Sequence, residues 1–294
     1  MFDSGGSSGQ LRDELGVLPP GDVLKCALAL ARSERAARRV LLSRLPMIEH
    51  HRLAGHTGGN LLLSMMERFS GDFLAAVDGL RALLDCRGKV WPVSVDAATV
   101  CAEYDDGAVT RGEVEVDAAQ THGRRVRRVW LEPAASIHPR VEVAIRGFDA
   151  VVIGPGSFFT SIMPPLLVRG VAEALASVRG PIILIANLLT EGRGMSGFTA
   201  ADAARWIEGT IGRPVDIVIA NTGRPEAEIV ARYAAEHKQP LELGTLGSDC
   251  EPVLGQFRFR DIARHDRRRL ALAVWAVLSQ RLLQGADQPQ PEAS

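Results

Sequence analysis

The sequence has little of what marks several protein classes. It has only four cysteines in 294 residues, Cys26, Cys86, Cys101 and Cys250, and this spacing excludes a C-x-x-C motif and a dense disulfide framework. No apolar run approaches the roughly 20 residues that a membrane-spanning helix needs, and the first residues lack the basic and apolar regions of a signal peptide. Basic and acidic residues number 34 and 35, so no overall positive field would attract nucleic acid. We therefore predict a cytoplasmic protein that has no nucleic-acid or membrane partner.

The apolar content is high enough for a substantial core, since 46% of the residues are hydrophobic. His50, His51 and His56 cluster without the spacing of a zinc motif, and we predict no metal site from them. No nucleophile and base stand at convincing spacing either, so no catalytic residue is assigned.

The most informative segment is an apolar run that ends at Ile153 and is followed by Gly154-Pro-Gly156 and by hydroxyl side chains, Ser157 and Thr160 among them. A short apolar run of this kind predicts a strand buried on both faces of a parallel sheet. Glycines after such a strand permit a tight turn with accessible N–H groups, and hydroxyls add donors that suit phosphate oxygens. The segment therefore predicts a phosphate-binding loop, although a plain strand-to-helix turn has the same pattern.

Two further apolar runs end in asparagine, at Asn187 and Asn221. In an open parallel sheet, ligands bind beyond the carboxyl ends of the strands. We therefore expect both asparagines to lie along one rim with Gly154. The alternative is that each is a turn former or helix cap, which is common for asparagine after a strand.

The order of patterns predicts an α/β fold with a Rossmann-like, doubly wound and mostly parallel sheet. Strands are expected near Ala150, Ile182 and Ile217, and the expected helices lie near residues 166, 201, 226 and 268. A small antiparallel insertion is expected at about 90–131, with a hairpin at Tyr104–Ala108 and strand-like alternation at Val114 and Val116. Residues 1–286 are predicted to form one domain, and residues 287–294 a disordered polar tail.

Several strings, taken in chain order, resemble the CofD-like proteins, and among them the gluconeogenesis factors that bind UDP-N-acetylglucosamine, also called YvcK-like proteins. The resemblance covers nearly the whole chain, and its motifs are specific only together. The matching strings are Asp3-Ser-Gly-Gly-Ser-Ser-Gly-Gln-Leu-Arg12, Gly21-Asp22, His56-Thr-Gly-Gly-Asn60, Gly71-Asp-Phe73, Gly154-Pro-Gly-Ser-Phe-Phe-Thr-Ser161, Gly197-Phe-Thr-Ala-Ala-Asp202 and Arg264-His-Asp266.

The resemblance implies a nucleotide-sugar cleft at the carboxyl ends of the strands. It places the first loop and the Gly-Pro-Gly-Ser loop against the ligand, Asn60 and Asn187 near sugar or base, and Arg264 near phosphate or stacked on the base. Tyr233 is a further candidate, with packing of one helix face as its alternative. The residues carried over from the two loops are Asp3, Gly5, Gly6 and Ser7, and Gly156, Ser157 and Thr160.

Three departures from the family pattern bear on function. The chain begins after the point where the family has its first strand, so that strand is missing from the sheet or lies upstream of Met1. Ser4 stands where the family commonly has a second aspartate, which leaves Asp3 alone to help hold Mg²⁺. Gly21-Asp-Val-Leu-Lys25 replaces a motif that normally carries an Arg/Asn pair.

Three functions remain open at this point. The first is a regulatory protein that binds a UDP-sugar without turnover and links it to carbon metabolism and cell shape. The second is a transferase that joins a phospho-lactyl group to a deazaflavin alcohol with the help of Mg²⁺. The third is a partner-binding protein with a vestigial cleft, and a homo-oligomer is compatible with all three.

Overall fold

The structure is a computed structural model that describes residue 18 and residues 20–46, 55–223 and 225–286, with side chains described as far as Arg281. The candidate residues Asp3, Gly5, Gly6 and Ser7 and the tail after residue 286 lie outside the described residues. The chain divides into two compact units. The first contains the residues up to Val100 with the short segments Gly112–Val114 and Leu131–Val141, and the second contains the remainder.

The described part of the first unit is built mainly from four helices that pack around an apolar core. Thr57 accepts a hydrogen bond from the Asn60 N–H and Asp72 accepts one from the Leu74 N–H, so each of these two side chains caps the start of a helix. The helices are α1 Gly21–Leu30, α2 Glu34–Leu41, α3 Gly58–Ser70 and α4 Phe73–Leu83. Their buried faces supply core residues that include Leu24, Leu28, Leu63, Val77 and Leu80.

A small antiparallel sheet follows, and its described strands are β1 Thr99–Tyr104, β2 Val109–Arg111 and β3 Val126–Glu132 in the order β2-β1-β3. The predicted hairpin is confirmed, because Cys101 pairs with Arg111 and Glu103 with Val109. The prediction of a strand around Val114 and Val116 is wrong, since Glu113–Thr121 forms helix α5. This helix buries Val116, Ala119 and Gln120, which follow helical rather than alternating spacing.

The second unit contains a parallel sheet whose described strands run in the order β4-β5-β6-β7. The three expected strands are confirmed, and the structure adds a fourth at the end of the sheet. The strands are β4 Val151–Ile153, β5 Ile182–Ile185, β6 Ile217–Asn221 and β7 Glu251–Gly255. The register pairs Ile153 with Leu184, Ile185 with Ile219 and Asn221 with Gly255, so the carboxyl ends of all four strands lie at one edge.

Helices and turns connect these strands. They are α6 Pro139–Arg146, a π-helical turn Phe158–Ile162, α7 Met163–Leu166, α8 Val171–Ala176, a 3₁₀ turn Arg193–Met195, α9 Ala200–Ile211, α10 Ala227–Ala234 and α11 Arg267–Ala286. α9 packs against β6. Val274 and Val277 of α11 pack with Ile185 and Ile219 of the sheet. Strands β5 and β6 are therefore buried on both faces, which explains why their sequences are continuous apolar runs.

Arg213 and Asp216 fix the amino-terminal side of the same sheet. The Arg213 guanidinium donates to the carbonyl oxygens of Leu175, Val178 and Gly180 at the end of α8. Asp216 accepts from the Ile182 N–H at 2.7 Å and so holds the first residue of β5. None of the helices among the described residues has the length and apolar character that crossing a membrane requires.

Candidate functional site

The loop after β4 lies at the carboxyl edge of the parallel sheet, where the sequence predicts a phosphate-binding turn. Three donors of this loop meet acceptors from other segments of the second unit. The Gly156 N–H donates to Asn187 Oδ1 at 3.2 Å, the Phe158 N–H to Glu191 Oε2 at 2.9 Å, and the Thr160 hydroxyl to Asp117 Oδ1 at 3.0 Å. Two of these three acceptors belong to carboxyl groups, so the loop already holds anionic partners from the chain itself.

Asn187 joins the loop to the next strand, as its place after β5 predicts. Besides accepting from the Gly156 N–H, its amide donates to Gly156 O at 2.8 Å and to Glu191 Oε1 at 3.2 Å. The side chain therefore fixes one residue of the glycine turn in both directions and also orients the carboxyl group of Glu191. This makes Asn187 a positioning residue for the loop.

Glu191 has the largest electrostatic perturbation in the site. The pKa of its carboxyl group is raised to about 7, chiefly by burial and also by the negative charge of Asp117, although the Phe158 N–H and the Lys238 ammonium oppose the rise. The pKa of Asp117 is also raised, chiefly by burial, while the Thr160 hydroxyl and Lys238 oppose that rise. Glu191 thus changes its charge near neutral pH, a property more common at functional sites than in solvated loops.

Two cavities of the second unit share three residues of their walls, Pro225, Pro240 and Glu242. The smaller one reaches Asn187, the residue that holds Gly156 of the loop. The smaller is about 90 Å³ and is lined by both asparagines at the strand ends, Asn187 and Asn221, and by Arg258, Thr222 and Gly223. The larger is about 380 Å³ and is lined by Phe198, Thr199, Val230 and Gln239. The larger cavity alone falls within the size range of small-molecule sites, which is roughly 300–1,000 Å³.

Asn221 also holds backbone at the rim. Its Oδ1 accepts from the Phe257 N–H at 2.8 Å and its amide donates to Gly223 O. The contacts tie the end of β6 to the segment that follows β7, where Arg258 is found. Asn221 therefore has the role of a turn former in the structure, and it lines the cavity at the same time.

The Arg264-His-Asp266 string forms a turn after β7. His265 donates a hydrogen bond to the carbonyl of Ala186, the residue before Asn187, and burial lowers its pKa. Asp266 accepts from the Arg268 and Arg269 N–H groups and caps the start of α11. Arg264 is exposed, and its carbonyl accepts from the Phe259 N–H. Two residues of this string thus support the site structurally, whereas the side chain of Arg264 is exposed.

The remaining predicted residues are more scattered. Gly154 is exposed, and nothing lies within 4 Å of the position that a Cβ would take, so its backbone is open to a ligand. Ser157 is half-buried and its carbonyl accepts from the Ser161 and Ile162 N–H groups. Tyr233 is half-buried at the end of α10. Asn60 is buried in the first turn of α3, in the first unit.

Four residues of this site were missed by reasoning from sequence: Asp117, Glu191, Lys238 and Arg258. Glu191 carried a weak signal, because it stands four residues after Asn187 in the same loop. Asp117 lies in the segment that was misread as a strand, and nothing near Lys238 or Arg258 resembles a motif. Within the described ranges, no three His, Cys, Asp or Glu side chains are grouped so that they could hold a metal ion.

Comparison with known proteins matches residues 1–257 to the family described as 2-phospho-L-lactate transferase CofD. A putative gluconeogenesis factor of Deinococcus radiodurans is 37% identical over 280 residues, which are 93% of this chain and 58% of that protein. The gluconeogenesis factor of Bacillus subtilis is 34% identical over 290 residues, which are 95% of this chain and 89% of that protein. The chain thus spans little more than half of the Deinococcus protein but most of the Bacillus one.

Solved structures support the same family assignment. A crystal structure of a UPF0052 family member from Bacillus halodurans superposes with a TM-score of 0.84 at 32% identity, and the match covers 93% of this chain and 88% of that one. The fold class and the family resemblance predicted from the sequence are therefore confirmed. The chain belongs to the CofD family and to the family of proteins named gluconeogenesis factors.

Proposed function

We propose that the second unit binds a nucleotide sugar of the UDP-N-acetylglucosamine type at the carboxyl edge of its parallel sheet, and that the protein acts as a regulatory binding protein. One observation carries this proposal. The donors of Gly156, Phe158 and Thr160 all meet acceptors from elsewhere in the unit, two of them carboxyl groups. A loop that already accommodates carboxyl oxygens has the donor arrangement that a diphosphate needs.

The two cavities supply the rest of the ligand's chemistry. Arg258 lines the smaller cavity and presents a cation to the diphosphate. Phe198 and Val230 offer apolar surface to the base in the larger cavity, and Glu242, shared by both cavities, is an acceptor for sugar hydroxyls. A mainly apolar wall with a few placed polar groups is typical of small-molecule sites.

The regulatory part of the proposal is supported by the relatives, which are named gluconeogenesis factors. In this proposal, occupancy of the site reports the level of a cell-wall precursor, and the bound protein influences carbon metabolism and cell morphogenesis.

Calorimetric titration with UDP-N-acetylglucosamine, with UDP as the comparison ligand, tests the site. Arg258→Ala should weaken saturable binding by at least tenfold, because it removes a charge-assisted contact to phosphate worth roughly 1.5–3 kcal/mol. Arg260→Ala is the matched control, since Arg260 lies in the same turn but is exposed and should leave affinity unchanged. Arg264→Ala tests the residue that the family resemblance nominated. Equal affinity of the wild type and the Arg258 variant would refute the placement of the diphosphate at Arg258. In a separate incubation with the protein, we expect the ligand to be recovered intact.

A transferase remains a second candidate because of one specific observation, the pair of carboxyl groups with raised pKa next to Lys238. A carboxyl group that titrates near pH 7 can serve as a general base. Incubation with Mg²⁺, a nucleotide-activated phospho-lactyl donor and a deazaflavin alcohol would show product if this reading is right. That activity should then be lost in Glu191→Gln, and Asp3→Asn tests whether Asp3 helps hold Mg²⁺.

A further inference from the structure

Glu191 accepts a hydrogen bond from a loop donor, the Phe158 N–H, that we expect a phosphate oxygen of the ligand to accept. Its Oε2 accepts from the Phe158 N–H at 2.9 Å, and Phe158 is only 2% exposed. A buried N–H needs an acceptor, and Glu191 supplies it. The second oxygen, Oε1, accepts from the Asn187 amide, which itself holds Gly156. The carboxyl group therefore stabilises the loop from two sides.

We propose that the Glu191 carboxyl group is a built-in substitute for the ligand's phosphate, which keeps the loop in its anion-binding conformation until the phosphate displaces it from the Phe158 N–H. This inference rests on the proposed function, because it assumes that a nucleotide diphosphate enters the loop. It assigns Glu191 as a positioning residue whose charge competes with the ligand.

Displacement has an electrostatic consequence. Once a phosphate takes the Phe158 N–H, Glu191 loses the hydrogen bond that favours its charged form and gains a negative neighbour. The ionisable groups that act on it are Asp117 from α5, which disfavours its charge, and Lys238 from the segment after α10, which favours it. Lys238 is itself paired with Glu236, so its charge is shared. The pKa of Glu191 in the complex should therefore lie above its value of about 7 in the free protein.

The sign of the pH effect follows from this difference. A complex that binds more protons than the free protein loses affinity as pH rises. Below about pH 7 Glu191 already carries a proton, and affinity should be constant. Above about pH 7, Glu191 takes up one proton each time a ligand binds, and affinity should fall roughly tenfold per pH unit. The diphosphate of a UDP-sugar has no terminal phosphate to titrate in this range, so the effect is assigned to the protein.

The experiment is calorimetric titration of the full chain with UDP-N-acetylglucosamine at about pH 6, 7 and 8.5, each in two buffers of different ionisation enthalpy so that proton uptake is measured directly. Wild type should bind more weakly at the highest pH and take up about one proton there. Glu191→Gln, which keeps an acceptor for Phe158 but has no charge, should bind with the same affinity at all three pH values. Glu173→Gln, a change of an exposed glutamate on α8, should behave as wild type.

For Asp117→Asn we expect a pH dependence of affinity that is shifted but not lost. Because the charge of Asp117 raises the pKa of Glu191, its removal should start the loss of affinity at lower pH without abolishing it. Affinity of the wild type that is independent of pH, or a Glu191→Gln variant that keeps the wild-type pH dependence, would overturn the inference and leave the proposed function standing. The absence of saturable binding at every pH would refute both together.

Discussion

The amide of Asn187 provides the sharpest test of how the loop is held, because Asn187→Asp changes one group without changing shape. The substitution keeps Oδ1 as acceptor for the Gly156 N–H. It replaces the donor Nδ2, however, by an oxygen that faces Gly156 O at 2.8 Å and Glu191 Oε1 at 3.2 Å. Two attractive contacts thus become repulsive, and one of them sets carboxyl group against carboxyl group.

The magnitude follows from these contacts. Loss of two hydrogen bonds costs about 2 kcal/mol in unfolding free energy. Two like charges about 4 Å apart repel by roughly 4 kcal/mol at an effective dielectric constant near 20, although a shared proton relieves most of this cost at lower pH. We therefore expect the aspartate variant to be less stable than the wild type by roughly 2 kcal/mol near pH 6, where a shared proton removes most of the repulsion, and by up to roughly 6 kcal/mol near pH 8.

Urea unfolding followed by circular dichroism at both pH values measures this difference. Asn221→Asp is the matched control, because the Asn221 amide donates to Gly223 O and no carboxyl group of the described residues bonds to it. The loss of unfolding free energy caused by Asn221→Asp should be the same at both pH values. The account of the loop would be refuted if Asn187→Asp were as stable as the wild type, or if its cost did not grow with pH.

Three further predictions concern the scaffold and the charge of the site. The pKa of Glu191 is about 7 in the folded chain against 4.5 ordinarily, so between these values the folded state binds a proton that the unfolded state lacks. The unfolding free energy should therefore fall by roughly 2–3 kcal/mol as pH rises from about 4.5 to 7. Thermal melts of Glu191→Gln should lack this fall, and a variant with the wild-type pH profile would contradict the prediction. Arg213→Lys should lower unfolding free energy by roughly 2–4 kcal/mol, because an ammonium group cannot reach the three carbonyls and Asp216 together; a melting temperature equal to that of the wild type would count against it. Gly180→Ala should prevent stable folding, since the added Cβ would lie 1.6 Å from Asp149 O. Gly209→Ala in α9 is the control: nothing lies within 4 Å of its Cβ position, and the change should raise the unfolding free energy by about 0.5–1 kcal/mol. Equal stability of the two variants would show that the close approach of Gly180 to Asp149 is not rigid.

The parallel sheet was predictable where burial alone determines the sequence. Strands β5 and β6 are covered on both faces, so nearly every residue is apolar and the run ends sharply at a polar side chain. β7 was missed because it lies at the end of the described sheet, pairs with β6 alone among the described strands and contains Pro252. Proline is tolerated at a sheet edge but argues against a strand in a sequence pattern.

The misread helix α5 shows a different limit. Glu113-Val-Glu-Val116 alternates as a strand does, and four residues are too few to separate a period of two from a helical one. The structure resolves the ambiguity through tertiary contacts, because Val116, Ala119 and Gln120 pack inward while Val114 is exposed. Asp117 belongs to the same helix, so an error in local structure concealed a residue of the site.

The carboxyl groups of the site were beyond sequence reasoning for a related reason. Asp117 meets Thr160 across 43 residues, and Glu191 meets Phe158 across 33. Neither contact leaves a local pattern, since each depends on how the loop after β4 lies on the sheet. The asparagines were found because their position after a strand is itself local, and their place at the rim follows from the parallel arrangement.

The structure also changes what the asparagines imply. The sequence offered ligand contact and turn formation as alternatives for Asn187 and Asn221, yet both amides are already committed to backbone or to Glu191. Their effect on a ligand therefore passes through the segments they hold, the glycine turn for Asn187 and the Arg258 segment for Asn221. In the proposed function, direct contact with the ligand is assigned instead to the loop N–H groups and to two side chains that line the smaller cavity, Arg258 and Glu242. Substituting an asparagine should thus reduce stability and affinity together. Substituting Arg258, whose guanidinium donates to the Phe259 and Arg260 carbonyls, should reduce affinity more than stability.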